Sequence, residues 1–211
     1  MERVLPILFN TDMVRAILDG RKTVTRRICK DENEYVVPDM SFYDAEKRTY
    51  AVHNFADKEH TDQLSTAERT CPICPGDILY VRETWSPVFV VPRRYLYKVE
   101  CKEAENLPIK WHPPIHMPKE AARIWLKVKD VLVERLQEIS EEQAKEEGAI
   151  DNLGFIHSPD NEYDSIHTAK EHFKQIWNST IKKSDIYRYG WDANPWVWVI
   201  EFERCEKPEN M

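Results

Sequence analysis

Glycine is scarce in this chain, 5 of 211 residues, which excludes collagen-like and linker-like compositions. Long apolar runs are absent too. The longest without proline is Trp196–Ile200, closed by Glu201, far short of the ~20 residues that cross a bilayer. No membrane partner is therefore expected. Val4 to Phe9, after Met1-Glu2-Arg3, is too short for a signal-peptide core and has no small-residue cleavage site, so a cytoplasmic location is expected. There is no Walker loop, GxSxG elbow, HExxH pair or dinucleotide fingerprint, and no cofactor is expected. The cysteines Cys29, Cys71, Cys74, Cys101 and Cys205 are odd in number and irregularly spaced. A chain of this length holds a core without disulfides, so they read as reduced thiols.

What is present is a core-forming composition. Apolar residues make up 42%, aromatics 11%, and there are seven Trp. That excludes disorder for most of the chain and gives one domain over 1–211. The net charge of −7 excludes a uniformly basic nucleic-acid binder. The charge is uneven, however. Residues 1–30 carry Arg3, Arg15, Arg21, Lys22, Arg26, Arg27 and Lys30 against Glu2, Asp12 and Asp19. A local basic site on an acidic protein suits a small anionic or polar ligand better than a long backbone.

The periodicities predict a strand over 6–10, a helix over 12–19 capped by Thr11 and Gly20, and a strand over 22–29. Residues 31–70 are polar and read as an insertion, with a hairpin between 35–37 and 49–52. Strands follow over 78–85, 94–100 and 123–136, the last bent near Asp130. Ser140-Glu-Glu-Gln143 is a capping box for a helix ending near Gly148. A second insertion covers 149–165, an amphipathic helix covers 164–180, and a strand covers 195–205. Leu79, Val81, Trp196, Trp198 and Phe202 are the expected interior. The order suggests an α+β fold, a mixed β-barrel with flanking helices.

Four segments carry possible chemistry. Gly20-Arg21-Lys22-Thr23-Val24-Thr25-Arg26-Arg27 interleaves cations with hydroxyls where a helix gives way to a strand. Its Arg side chains suit a phosphate or base edge, and a Lys crowded by cations has a lowered pKa and can serve as a base toward a hydroxyl. The alternative is a solvated basic strand paired with surface acids. In a regular strand Lys22 and Thr25 face opposite sides, so they converge only if the chain turns near Thr23. Glu83 shares a face with Leu79 and Val81, and needs a cation there; it is expected to pair with one of the basic segment or to form a structural salt bridge. Cys71-Pro-Ile-Cys74 is half a zinc site at most, with His53 and His60 upstream, and no metal is expected. His116 sits in a proline-rich loop as a ligand contact or a structural histidine, and Trp111 and Trp191 are stacking candidates for a base.

Taken together, Ile17 to Arg27, Pro75 to Glu83, Ile139 to Gly148 and Trp196 to Arg204 resemble the ASCH domain family, which has a PUA-like β-barrel. The long form, with Trp111 to Pro118 and Asn194-Pro-Trp-Val-Trp198, is similar to members found in phages and prophages. The resemblance implies RNA or nucleotide binding by a basic cleft, with Arg21, Arg26, Arg27, Glu83, Trp111 and His116 as ligand contacts. It also implies a second activity, because small members remove acetyl from N4-acetylcytidine. Their reactive Lys and Thr match Lys22 and Thr25, and their acid matches Glu147 by position. The partner implied is RNA or a modified nucleoside. This chain is about twice as long as those small members.

Overall fold

The computed structural model describes residues 3–29, 36–54, 65–70, 72–90, 93–101, 109–151 and 168–208. It is an α+β fold of ten strands and four helices among these residues. The chain opens with β1 (Val4–Leu8), α1 (Thr11–Leu18) and β2 (Val24–Ile28). The first strand ends earlier than the apolar pattern predicts, because Asn10 rather than Thr11 caps α1. The Asn10 side chain accepts from the Met13 N–H at 2.9 Å.

The segment read as a polar insertion is a sheet of its own. Strands β3 (Val36–Asp44), β4 (Thr49–Asn54) and β5 (Ser65–Thr70) pair antiparallel in that order. Tyr50 ties it to the main core, its ring edge-on to Trp198 at 4.8 Å between centroids. Strand β6 (Ile78–Arg82) is followed by a hairpin of β7 (Trp85–Val90) and β8 (Arg93–Tyr97). The sequence joined β6 to Trp85, but the chain breaks at Glu83-Thr84 and starts a separate strand.

The remaining elements are β9 (Trp125–Arg135), α2 (Glu141–Glu146), α3 (Ala169–Thr180), α4 (Ile186–Tyr189) and β10 (Trp196–Cys205). The expected capping box forms, Ser140 with Gln143, and the structure adds another, Thr168 with Glu171. The bend expected in the long strand is a register shift: Glu201 faces Asp130 and Phe202 faces Val128, leaving Lys129 unmatched.

The main sheet runs β1-β6-β9-β10-β2, so β1 and β2 are its outer strands. Strand β10 is buried on both faces. Trp198, Ile200 and Phe202 join Leu79 and Val81 in one core, with Trp196 partly buried against it. Val197 and Val199 point into a second core with Phe173, Trp177 and Trp191. No helix among the described residues is long and apolar enough to cross a membrane.

Candidate functional site

The basic segment forms β2 and the turn before it. Gly20 takes φ +75°, and the Arg21 and Lys22 N–H groups both donate to the Ala16 carbonyl. Thr23 N–H then donates to the Glu146 carbonyl at 2.9 Å. Lys22 is thus outside the strand, in the turn that the sequence required near Thr23. Gly148 brings the end of α2 onto this turn. It has φ +93°, and a Cβ there would lie 2.9 Å from the Ala16 Cβ.

This approach sets Glu147 against Lys22. The Lys22 side chain is fully buried, and its Nζ donates to Glu147 Oε2 at 2.6 Å, the Glu147 carbonyl at 2.8 Å and the Val24 carbonyl at 2.7 Å. Three acceptors for three hydrogens is the arrangement of an ammonium. Burial lowers the Lys22 pKa, Glu147 opposes that, and Arg27 and Arg26 add to it. Arg26 continues the network. Its Nη2 and Nε reach Glu134 Oε1 at 2.6 and 2.9 Å, and its Nη1 reaches Glu147 Oε1 at 3.3 Å. Two cations and two carboxylates form a charge-balanced chain, Lys22–Glu147–Arg26–Glu134, buried except at half-buried Glu134.

Arg27 stands outside that chain. Its Nη1 donates to the Arg26 carbonyl at 3.2 Å and its Nη2 to the Leu8 carbonyl at 3.1 Å. The guanidinium lies over the Phe9 ring at 5.2 Å. It meets no carboxylate among the described residues. Burial lowers its pKa from the ordinary arginine value, with Glu147 opposing, yet an arginine stays cationic at neutral pH. Beside it, Thr25 is 1% exposed, and its hydroxyl has no hydrogen-bond partner among the described groups.

Arg27 and Thr25 line a cavity of about 440 Å³ between β1 and β2. Glu147 and Arg26 reach the same space, and Phe173 and Trp177 of α3 form its opposite, apolar wall. Lys22 instead borders a separate groove of about 420 Å³ with Thr23 and Glu146. The structure therefore joins Lys22 to Glu147, and places Thr25 with Glu147 in one cavity. It makes no hydrogen bond between Lys22 and Thr25.

Other expected contacts lie elsewhere. Glu83 does not pair with the basic strand; Arg123 holds it, Nε to Oε1 at 2.9 Å and Nη2 to Oε2 at 3.2 Å. Burial pushes the Glu83 carboxyl up, against the pull of Arg123. Arg21 is exposed and reaches Asp19 and the Gly148 carbonyl. Trp111 and His116 belong to a loop held by Arg82 Nε on the Met117 carbonyl at 2.8 Å, away from the cavity lining. Trp191 is buried in the second core and offers no stacking face. Cys74 is buried, its backbone N–H on Asp77, while Cys71 and His60 lie outside the described residues. Among the described residues no three metal-ligating side chains converge. Sequence reasoning missed Glu134 and the α3 wall, because both reach the site through long-range packing that local periodicity does not encode.

No family model matches the chain, and no curated protein matches it. A solved structure, the crystal structure of hypothetical protein PH0355, is similar over 96% of this chain and 99% of that one, at 14% identity and a TM-score of 0.36. Agreement at that level carries no functional argument.

Proposed function

We propose that this chain is a nucleotide-binding module of the ASCH type, taking an RNA nucleotide or a free nucleotide into the cavity between β1 and β2. The observation that carries the reading is Arg27, a cation on the cavity wall whose donors, among the described residues, meet only backbone carbonyls. An anionic group is the partner its remaining N–H groups lack. Thr25 supplies an unused hydroxyl next to it, and Phe173 and Trp177 supply an apolar wall for a planar group. A PUA-like barrel is the finer reading of this sheet: its outer strands β1 and β2 both line the cavity, and Arg27 links one to the other. A cytoplasmic RNA or nucleotide pool is the source of ligand in this reading. Calorimetric titration with cytidine monophosphate tests it; saturable heat is expected, and no heat at millimolar ligand opposes it.

A second reading, hydrolysis of N4-acetylcytidine, is favoured by the unpartnered Thr25 hydroxyl beside Glu147. Thr25 Oγ would attack the acetamide carbonyl and pass its proton through water to a neutral Lys22. The cytosine amine would leave with a proton supplied through Glu147, and water would then release acetate from Thr25. Lys22 must shed the proton that its three acceptors now hold, and burial favours that loss. Activity would rise toward alkaline pH along a limb below 10.5, the ordinary lysine value. Chromatography of N4-acetylcytidine incubated with wild type and Lys22→Ala decides the matter. Equal cytidine in both rejects hydrolysis.

A further inference from the structure

The chain leaving the cavity wall carries a second surface. Thr180 and Ile181 are the last α3-side residues to line the cavity, and Lys182 and Lys183 follow directly. Both lysines are exposed and make no ion pair among the described residues. Next come Tyr187, 80% exposed, and Arg188, exposed, whose guanidinium lies 5.3 Å from the centre of the Tyr189 ring. Residues 182–188 thus hold three cations against Asp185, on a chain whose net charge is −7.

This segment is fixed to the cavity rather than free of it. The Trp177 indole, itself in the cavity wall, donates to the Tyr189 carbonyl at 2.8 Å. Asn178 Oδ1 accepts from the Trp191 N–H at 2.8 Å. Gly190 closes α4 tightly, and a Cβ there would sit 2.5 Å from the Ile186 carbonyl oxygen. Tyr187 presents its aromatic face to solvent. Set among cations with one acid, and continuous with a cavity for a nucleotide, it has the make-up of a stacking platform on an electrostatic track.

We infer that residues 182–188 form a docking surface for single-stranded nucleic acid, which leads one nucleotide of a longer strand into the cavity. The inference rests on the nucleotide reading of that cavity. Lys182 and Lys183 meet backbone phosphates, and Tyr187 stacks on a base next to the bound one.

The test compares cytidine monophosphate, a single-stranded cytidine oligonucleotide and polyglutamate, each titrated into wild type, Arg27→Ala and the triple variant Lys182→Ala/Lys183→Ala/Tyr187→Ala. All three substituted residues of the triple variant are exposed, and a thermal melt verifies its fold. The oligonucleotide should bind wild type more tightly than the monophosphate. The triple variant should lose about ten- to a hundred-fold in oligonucleotide affinity, the range expected from one lost stack and two phosphate contacts. Its slope of log affinity against log salt should fall by roughly 1.4. Its monophosphate affinity should not change. An oligonucleotide that binds no tighter than the monophosphate, with the triple variant unaltered, overturns the surface and leaves the cavity reading standing. An oligonucleotide lost in the triple variant but indifferent to Arg27→Ala, with no monophosphate bound, supports the surface and overturns the cavity. Polyglutamate that binds as well as the oligonucleotide makes this an acidic-peptide surface and overturns the inference.

Discussion

Arg27 reaches from β2 to β1: its Nη2 donates to the Leu8 carbonyl at 3.1 Å, while its Nη1 returns to the Arg26 carbonyl on its own strand. One side chain links the two outer strands of the main sheet beside the cavity. Arg27→Ala removes two charge-assisted bonds and leaves both carbonyls to water or to cavity solvent. A loss of about 1–3 kcal/mol is expected, read as a lower urea midpoint.

The Lys22–Glu147–Arg26–Glu134 chain behaves as a unit. Glu147→Leu leaves Lys22 with no carboxylate, fully buried, and should cost about 3–5 kcal/mol. Adding Lys22→Met removes the stranded ammonium and should recover much of that loss. A double-mutant cycle in urea measures the coupling. Additive losses would show that the pair does not hold this end of α2.

Two buried acids outside the cavity should give stability opposite pH dependences. Burial opposes the Asp77 charge, but Arg3, the Cys74 N–H and Arg48 outweigh it and hold the carboxyl below 3.8. Its contribution is present above that value and is lost as pH falls through the folded-state pKa. Glu83 is raised above 4.5 by burial against the pull of Arg123, so its contribution is full below 4.5 and declines as pH rises through the raised value. Unfolding free energies measured from pH about 3 to 7 should lose the acid limb in Asp77→Asn, and the decline above 4.5 in Glu83→Gln. An unchanged profile in either variant contradicts the assigned direction.

Asp77 also anchors the three-stranded sheet. Arg48, in the β3–β4 turn with φ +57°, reaches its carboxylate, and Arg3 holds the other oxygen at 2.7 Å. Arg48→Gly relieves the backbone and removes the ion pair. If the pair is the anchor, limited proteolysis within residues 36–54 should quicken in Arg48→Gly and return to the wild-type rate in Arg48→Lys.

Much of this was legible in the sequence where the signal is local. The Ser140 capping box and Gly148 bound α2, whereas the burial of Glu147 beside exposed Glu146 is visible only in the structure. Alternation in Trp196–Phe202 identified the core face of β10, but not that Val197 and Val199 are buried too, which needs a helix layer behind the sheet. Partners far apart in sequence were not legible. Nothing local tells Glu83 to choose Arg123 over Arg27, or Arg26 to choose Glu134. The stretch 31–70 read as an insertion because its composition is polar and charge-rich. The 181–189 segment did carry a signal, Lys182-Lys183 followed by Tyr187-Arg188-Tyr189, that periodicity arguments pass over.

The central claim is that Arg27 is the anion-binding group of the cavity. Isothermal titration of cytidine monophosphate into wild type and Arg27→Ala, at one salt concentration with both proteins shown folded by circular dichroism, tests it most directly. The account predicts saturable binding to wild type and at least about a ten-fold weaker affinity in the variant, the ~1.4 kcal/mol that one charged contact supplies. Equal affinities in the two proteins would contradict it.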